Sequence, residues 1–447
     1  MAKFEPPTIA SVQRDFAHGM SPVTVVEECL KRIEAHNDQY RAMIFVDRES
    51  ALEDAKQAEA ELRSGQQRGP LHGIPIAVKD VIDVADWPTT AGSMLFEGYI
   101  AETDAACVRN LRAAGAIIIG KTNLHELTAG GHDNPWFGKV VSPLDPSRGT
   151  GGTSSGSAAA VVAGFCIAAL GTDTGGSNRS TAAATGLVGL KPTNGVINIE
   201  GVRPTAPSFD TIGPIAASIE DARLVYFAMR GMAAPGQDRT ELAGLRIGIC
   251  PDLYDADVDP IVARAHERLL RSLGNAGAVI QTITFPLAGQ VKEAGRIILT
   301  YEFASEYGKL IDRHPDRVGR AVRDFVAAGA LIAADEYQAA LEFRVQTRDA
   351  FLHLLQTVDA LATPVVPGLA PRLCDEMTEV GSLLVPYGLA GGSFRRWANF
   401  FGVPTLAIPV ASDGVLPASI QISSPPDTEN RLFSVCNALS EPGASSD

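Results

Sequence analysis

Apolar positions along the chain follow two spacings. Val26, Leu30 and Ile33 share one face at the 3.6-residue period, behind Ser21 as a capping residue and Pro22 at the first helical position. A second helix, rich in Ala, Glu and Lys, is predicted over about 50–64. From Gly69 the texture changes. Residues 74–78 form a short unbroken apolar run that ends at Lys79 and Asp80, as a buried strand would. A helix capped by Thr103 and stopped at Gly115 then leads into a strand-like run at 116–119. Further strand-like runs fall at 167–170, 186–190, 245–250, 360–363 and 405–409. Helices are predicted over 259–274 and through most of 288–356, with Gly and Pro stops. Between them lie a loop of Pro, Ser, Gly and Thr at 141–157 and a Gly-rich turn at 171–177. Strands alternating with helices predict an α/β sheet covered on both faces. With no repeat, low-complexity tract or linker, one large domain is expected over 1–447.

Composition narrows the classes of function. Hydrophobic residues make up 45% and charged residues 20%, which excludes wholesale disorder. The formal charge of −14, with no Lys/Arg run to offset it, argues against direct nucleic-acid binding and against an anionic membrane surface. The longest apolar run, 158–170, is too short to cross a bilayer, and the amino terminus has no apolar run to serve as a signal peptide. Six scattered cysteines without a Cys-x-x-Cys pair read as small buried hydrophobes of a cytoplasmic, reducing compartment. The histidines lack metal-ligand spacing. His125-Glu126 begins like a zinc motif, but Ala129 stands where the second ligand belongs, so neither metal nor cofactor is expected. With 43 glycines and only 6% aromatics, backbone must pack close to backbone somewhere.

Two pattern matches fail on context. Gly115 to Thr122 spells the phosphate-loop pattern, yet a helix precedes it and its middle is Ala followed by three Ile, as in a buried strand. Gly152-Thr-Ser154-Ser-Gly156 spells a nucleophile elbow, but a polar loop precedes it rather than an apolar strand. The downstream histidines His266, His314 and His353 sit in charged helical stretches and read as solvated surface. The glycine loops carry more. Loop 151–157 and loop 171–177 each offer hydroxyls and unencumbered backbone N–H groups, and the second can aim N–H groups at an oxyanion near Ser177. A serine nucleophile needs a base. Lys79, at the end of a buried run, is a candidate because burial disfavours its charged form.

These residues resemble the amidase signature hydrolases. The run 151–193 is similar to that family's long signature. Further similar blocks are His72 to Asp80, Thr89 to Ser93, Gly120 to Leu127, Pro143 to Ser147, Phe209 to Pro214 and Asn399 to Pro404. The resemblance implies a single large amidase-signature domain, a central mixed β-sheet covered by helices on both faces. Its parts are an N-terminal helical segment (1–64), a signature core (65–240), and a helical insertion with the C-terminal part of the core (241–447). It also implies a Ser–cis-Ser–Lys triad: Lys79 as base, Ser177 as acyl-forming nucleophile, and Thr153 where the family has its bridging serine. Threonine keeps the hydroxyl, but its methyl must fit beside the family's cis peptide. Ser154 taking the relay by a local shift, or an impaired enzyme, are the other outcomes. Thr174, Gly175 and Gly176 are the implied oxyanion hole, with Asp173 and Arg179 holding the loops together. Asn178 stands where the family carries an aliphatic residue.

The expectation is hydrolysis of a small-molecule carboxylic amide through an acyl-enzyme, with no cofactor, no metal, no direct nucleic acid and no membrane; a homodimer stays open. The rival readings are a glutaminase subunit of a tRNA-dependent amidotransferase and a catalytically silent member that binds without turnover. The acyl pocket is expected from loop 125–137 and region 365–400. Trp136, Phe137, Tyr387, Phe394 and Trp397 are candidate linings, core packing being the plainer role for most of them. Arg395 and Arg396 read either as contacts for an acidic substrate or as solvated surface.

Overall fold

A computed structural model describes residues 5–236, 240–254, 257–412, 414 and 416–440. Eleven strands make one sheet, in the spatial order Met43–Val46, Ile117–Thr122, Pro75–Lys79, Ala168–Thr172, Ile212–Ala216, Val188–Lys191, Thr405–Val410, Ala418–Ser423, Ala360–Pro364, Arg246–Ile249 and Val279–Thr282. The sheet is mixed. Pro75–Lys79 runs parallel to both its neighbours, whereas Ile212–Ala216 and Thr405–Val410 run antiparallel to theirs.

The unbroken apolar runs follow from burial on both faces. Ile76, Val78, Ile118, Ala168 and Leu170 point into one core, and Ala77, Ile117, Ile119 and Ala169 into the other. Helices Ala106–Ala113, Ile219–Met229 and Glu429–Ser440 cover the first face. Helices Pro22–Tyr40, Arg48–Arg63 and Ser155–Val162 cover the second. A third apolar cluster packs Ala288–Arg313, Ala334–Gln356 and Tyr387–Phe401 against one another beside the carboxyl-terminal strands.

Ser21 caps the Pro22–Tyr40 helix by accepting the Val23 N–H, as the sequence predicts. The cap expected at Thr103 does not form. Residue 104 is needed elsewhere: its Asp carboxylate accepts the Ala85 N–H at 2.8 Å, Ala105 N–H bonds the Asp83 carbonyl, and the helix starts at Ala106 without a side-chain cap. The long helical region divides into Ala288–Arg313, Arg320–Ala330 and Ala334–Gln356, with Pro315 in the first break. Among the described residues no helix is long and apolar enough to cross a membrane. All six cysteines are free thiols, buried except for Cys374.

Candidate active site

Lys79 is the last residue of the Pro75–Lys79 strand, and its side chain is fully buried. Its ammonium nitrogen meets three hydroxyls, Thr172 Oγ1 at 2.7 Å, Thr153 Oγ1 at 2.9 Å and Ser154 Oγ at 3.2 Å. Burial pushes its pKa down to about 7, against the opposing charges of Asp173 and Asp210. A neutral amine has two N–H donors and one lone pair, so one of the three hydroxyls can donate to it.

Thr153 is the hydroxyl that continues outward: its Oγ1 lies 2.8 Å from Ser177 Oγ. Thr153 and Ser177 are both partly open to solvent, while Lys79 is sealed behind them. The unbroken row Lys79–Thr153–Ser177 can carry a proton from the outer hydroxyl to the buried amine. Ser154 is differently engaged. Its hydroxyl donates to the Thr172 carbonyl and accepts the Thr172 N–H, tying loop 151–157 to the Ala168–Thr172 strand. Thr172, the third partner of Lys79, escaped the sequence reading because nothing marks a strand-end threonine before its neighbours are known.

The cis peptide expected at the bridging position is absent, as at every described bond. Two glycines with positive φ make the turn instead, Gly151 (62°) and Gly152 (116°). Space also requires glycine at 152, since a methyl there would collide with the Ser180 hydroxyl and crowd the Ser177 carbonyl.

Gly176, with φ of 107°, turns the second loop into the Ser177–Thr185 helix, so Ser177 stands at a helix amino terminus. Of the three N–H groups expected to face an oxyanion, that of Gly176 is already used: it donates to Asp173 Oδ1 at 2.9 Å. Among the described residues the N–H groups of Thr174, Gly175 and Ser177 donate to no protein acceptor, so these three form the open set. Asp173 and Arg179 do hold the loop. The Arg179 guanidinium grips the Asp173 carboxylate through Nε and Nη2, each at 3.0 Å, and reaches Gln421 Oε1 and Asn399 Oδ1, each at 2.8 Å. Burial raises the Asp173 carboxyl, but the Arg179 charge and the hydrogen bonds from Arg179 and Asn399 outweigh it and bring the pKa down to about 2. Asn178 is buried under the loop, donating to the Leu190 and Gly213 carbonyls.

Other sequence expectations shift. Tyr387 packs against Gly151 and donates to the Ser180 carbonyl at 3.2 Å, bracing the loop from behind. Phe394 and Trp397 are buried, Trp397 in the third core cluster. Trp136 is half-buried and donates to Glu126. Glu126 in turn clips Ser93 and the Gly319 N–H, a structural use of the His125-Glu126 pair. Lys121 of the phosphate-loop pattern lies inside a strand, ion-paired to buried Asp80 at 2.9 Å. His266 is buried rather than solvated, on the inner face of Pro260–Asn275. Arg395 is not solvated either; it is only 5% exposed. No group of three or more His, Cys, Asp or Glu able to hold a metal ion occurs among the described residues.

This arrangement matches known proteins over nearly the whole chain. The amidase family model covers residues 24–433. The chain belongs to the amidase family. It is a hydrolase of C–N bonds. A solved amidase is similar at 34% identity and a TM-score of 0.90, covering 97% of this chain and 99% of that one. The peptide amidase of Stenotrophomonas maltophilia is similar at 28% identity and a TM-score of 0.81, covering 98% and 99%. Among curated amidase relatives, the glutamyl-tRNA(Gln) amidotransferase subunit of Methanothermobacter thermautotrophicus is 32% identical, covering 98% of this chain and 99% of its own. That of Carboxydothermus hydrogenoformans is 31% identical, covering 95% and 94%. These relatives overturn one expectation, the exclusion of nucleic acid. Net charge is a sum over the whole surface and says nothing of one local face or of an assembly, so −14 does not separate this amidase from proteins named for tRNA work.

Proposed function

We propose that the chain hydrolyses a carboxylic amide through an acyl-enzyme on Ser177. The hydrogen-bonded row Lys79–Thr153–Ser177 is the observation that carries this reading. Neutral Lys79 takes a proton through Thr153 as Ser177 Oγ attacks the amide carbonyl. The N–H groups of Thr174, Gly175 and Ser177 stabilise the tetrahedral oxyanion, and the amino terminus of Ser177–Thr185 adds its positive end. The same row returns the proton to the leaving nitrogen, and water then frees the acid. The exposed free thiol of Cys374 supports a reducing compartment, the cytoplasm.

The curated relatives favour a particular setting for this chemistry, more than they favour a free-standing amidase. In that setting the chain is the amide-hydrolysing component of a tRNA-dependent amidotransferase and supplies nitrogen to a partner. Two measurements test the proposal. A fluorophosphonate should form an adduct that maps to Ser177, and failure to label it in folded protein would make the chain a silent member. Glutaminase activity that appears only with co-purified partner proteins and tRNA supports the amidotransferase setting. Activity of the isolated chain on simple amides supports the free-standing one.

A further inference from the structure

Arg179 shows how this fold satisfies a buried guanidinium, with a carboxylate fork, two side-chain amides and the Arg395 carbonyl. Arg395 and Arg396, on the Tyr387–Phe401 helix, receive nothing comparable. Arg395 is 5% exposed, and the partner found for its guanidinium is the Val365 carbonyl, at a long 3.4 Å. The Nε atoms of both arginines are buried without a hydrogen-bond partner. Among the described residues neither has a carboxylate within ion-pair distance, and Glu293, whose field reaches Arg396, is bound to Arg296 at 2.6 Å. Both side chains flank the glycines that precede the nucleophile. A methyl group on Gly176 would collide with the Arg395 side chain, and one on Gly175 would sit 3.7 Å from Arg396 Nε. Two cations thus converge on the open N–H groups of the oxyanion loop, inside a protein whose net charge is −14.

A buried, unpaired guanidinium is costly, and a carboxylate is the group whose geometry matches its planar fork. We propose that the substrate amide carries its own carboxylate, as the half-amide of a short dicarboxylic acid does, and that Arg395 with Arg396 beside it receives that group. The proposal deepens the amide-hydrolysis reading and rests on it. Ser177 Oγ bonds to the amide carbon and the C–N bond breaks, ammonia leaving with the proton that came from Ser177. Water then hydrolyses the ester to give the dicarboxylate. An ammonium group on the substrate, as in glutamine, would add a third cation beside the pair and is disfavoured.

The test compares kcat/KM of the full chain for malonamate and succinamate with those for propionamide, butyramide and glutamine, alongside inhibition by malonate and succinate. The half-amides should exceed their neutral counterparts by about 10- to 100-fold, the yield of a charged hydrogen-bonded contact. The dicarboxylates should inhibit competitively, and the anionic-to-neutral ratio should collapse in Arg395→Met and Arg396→Met. If Arg395→Met does not fold by circular dichroism, the wild-type ratio and the less buried Arg396 decide. Equal kcat/KM for half-amide and neutral amide, or preference for glutamine, overturns the inference. If Ser177 takes a fluorophosphonate while charge brings no preference, this inference alone falls. If Ser177 stays unlabelled and no amide is turned over, the hydrolysis reading falls with it.

Discussion

At the scale of the residue, the unusual feature is a threonine between lysine and serine. Its hydroxyl spans 2.9 Å to Lys79 and 2.8 Å to Ser177, while Ser154 is spent on the Thr172 backbone. Thr153→Ala should therefore lower kcat by about 10²- to 10⁴-fold, the usual worth of positioned proton transfer, and Thr153→Ser should restore most of it. Ser154→Ala should cost less, by loosening Lys79 rather than breaking the row. Full activity in Thr153→Ala together with loss in Ser154→Ala would transfer the relay to Ser154. The two loops and the lysine were legible in the sequence because chemistry restricts which residue types can serve. Thr172 and the engagement of Gly176 were not, since both depend on atoms that meet only after folding.

At the scale of the element, the continuous apolar strands were readable because both faces of the central sheet are buried. Ile212–Ala216 was not. Its Gly213-Pro214 pair breaks the strand pattern, yet Pro214 sits opposite Leu170 in the middle of the sheet, with Asn178 donating to the Gly213 carbonyl. The helix around 106 was legible while its cap was not, because Asp104 serves the neighbouring loop instead. One cross-strand feature has a measurable weight. Asp80 and Lys121 form an ion pair that is almost wholly buried, between adjacent parallel strands that lead to the site. Lys121→Met strands the Asp80 charge and should cost about 3–5 kcal/mol in denaturant unfolding. A loss below about 1 kcal/mol, the range of exposed pairs, would mean that water reaches it.

At the scale of the whole molecule, the site joins parts of the chain that are distant in sequence. Lys79 comes from one strand, Thr153 and Ser177 from two loops, and the Arg179–Asp173 pair is locked to Asn399 and Gln421 near the carboxyl end. That span was visible in the sequence only as separate motif blocks; the buried arginine joining them needed coordinates. Arg179→Lys cannot reproduce the fork and should lower both thermal stability and activity. A variant with unchanged Tm would show that the loops hold without the clasp. The central claim is that a buried, neutral lysine drives acylation of Ser177, and the pH dependence of kcat/KM tests it most directly. With the Lys79 pKa lowered to about 7, the amine is free above that pH and protonated below it. The rate should therefore be level in mild alkali and fall about tenfold per pH unit on the acid side of 7. A rate that stays flat from pH 8 down to 5 would contradict a lysine base.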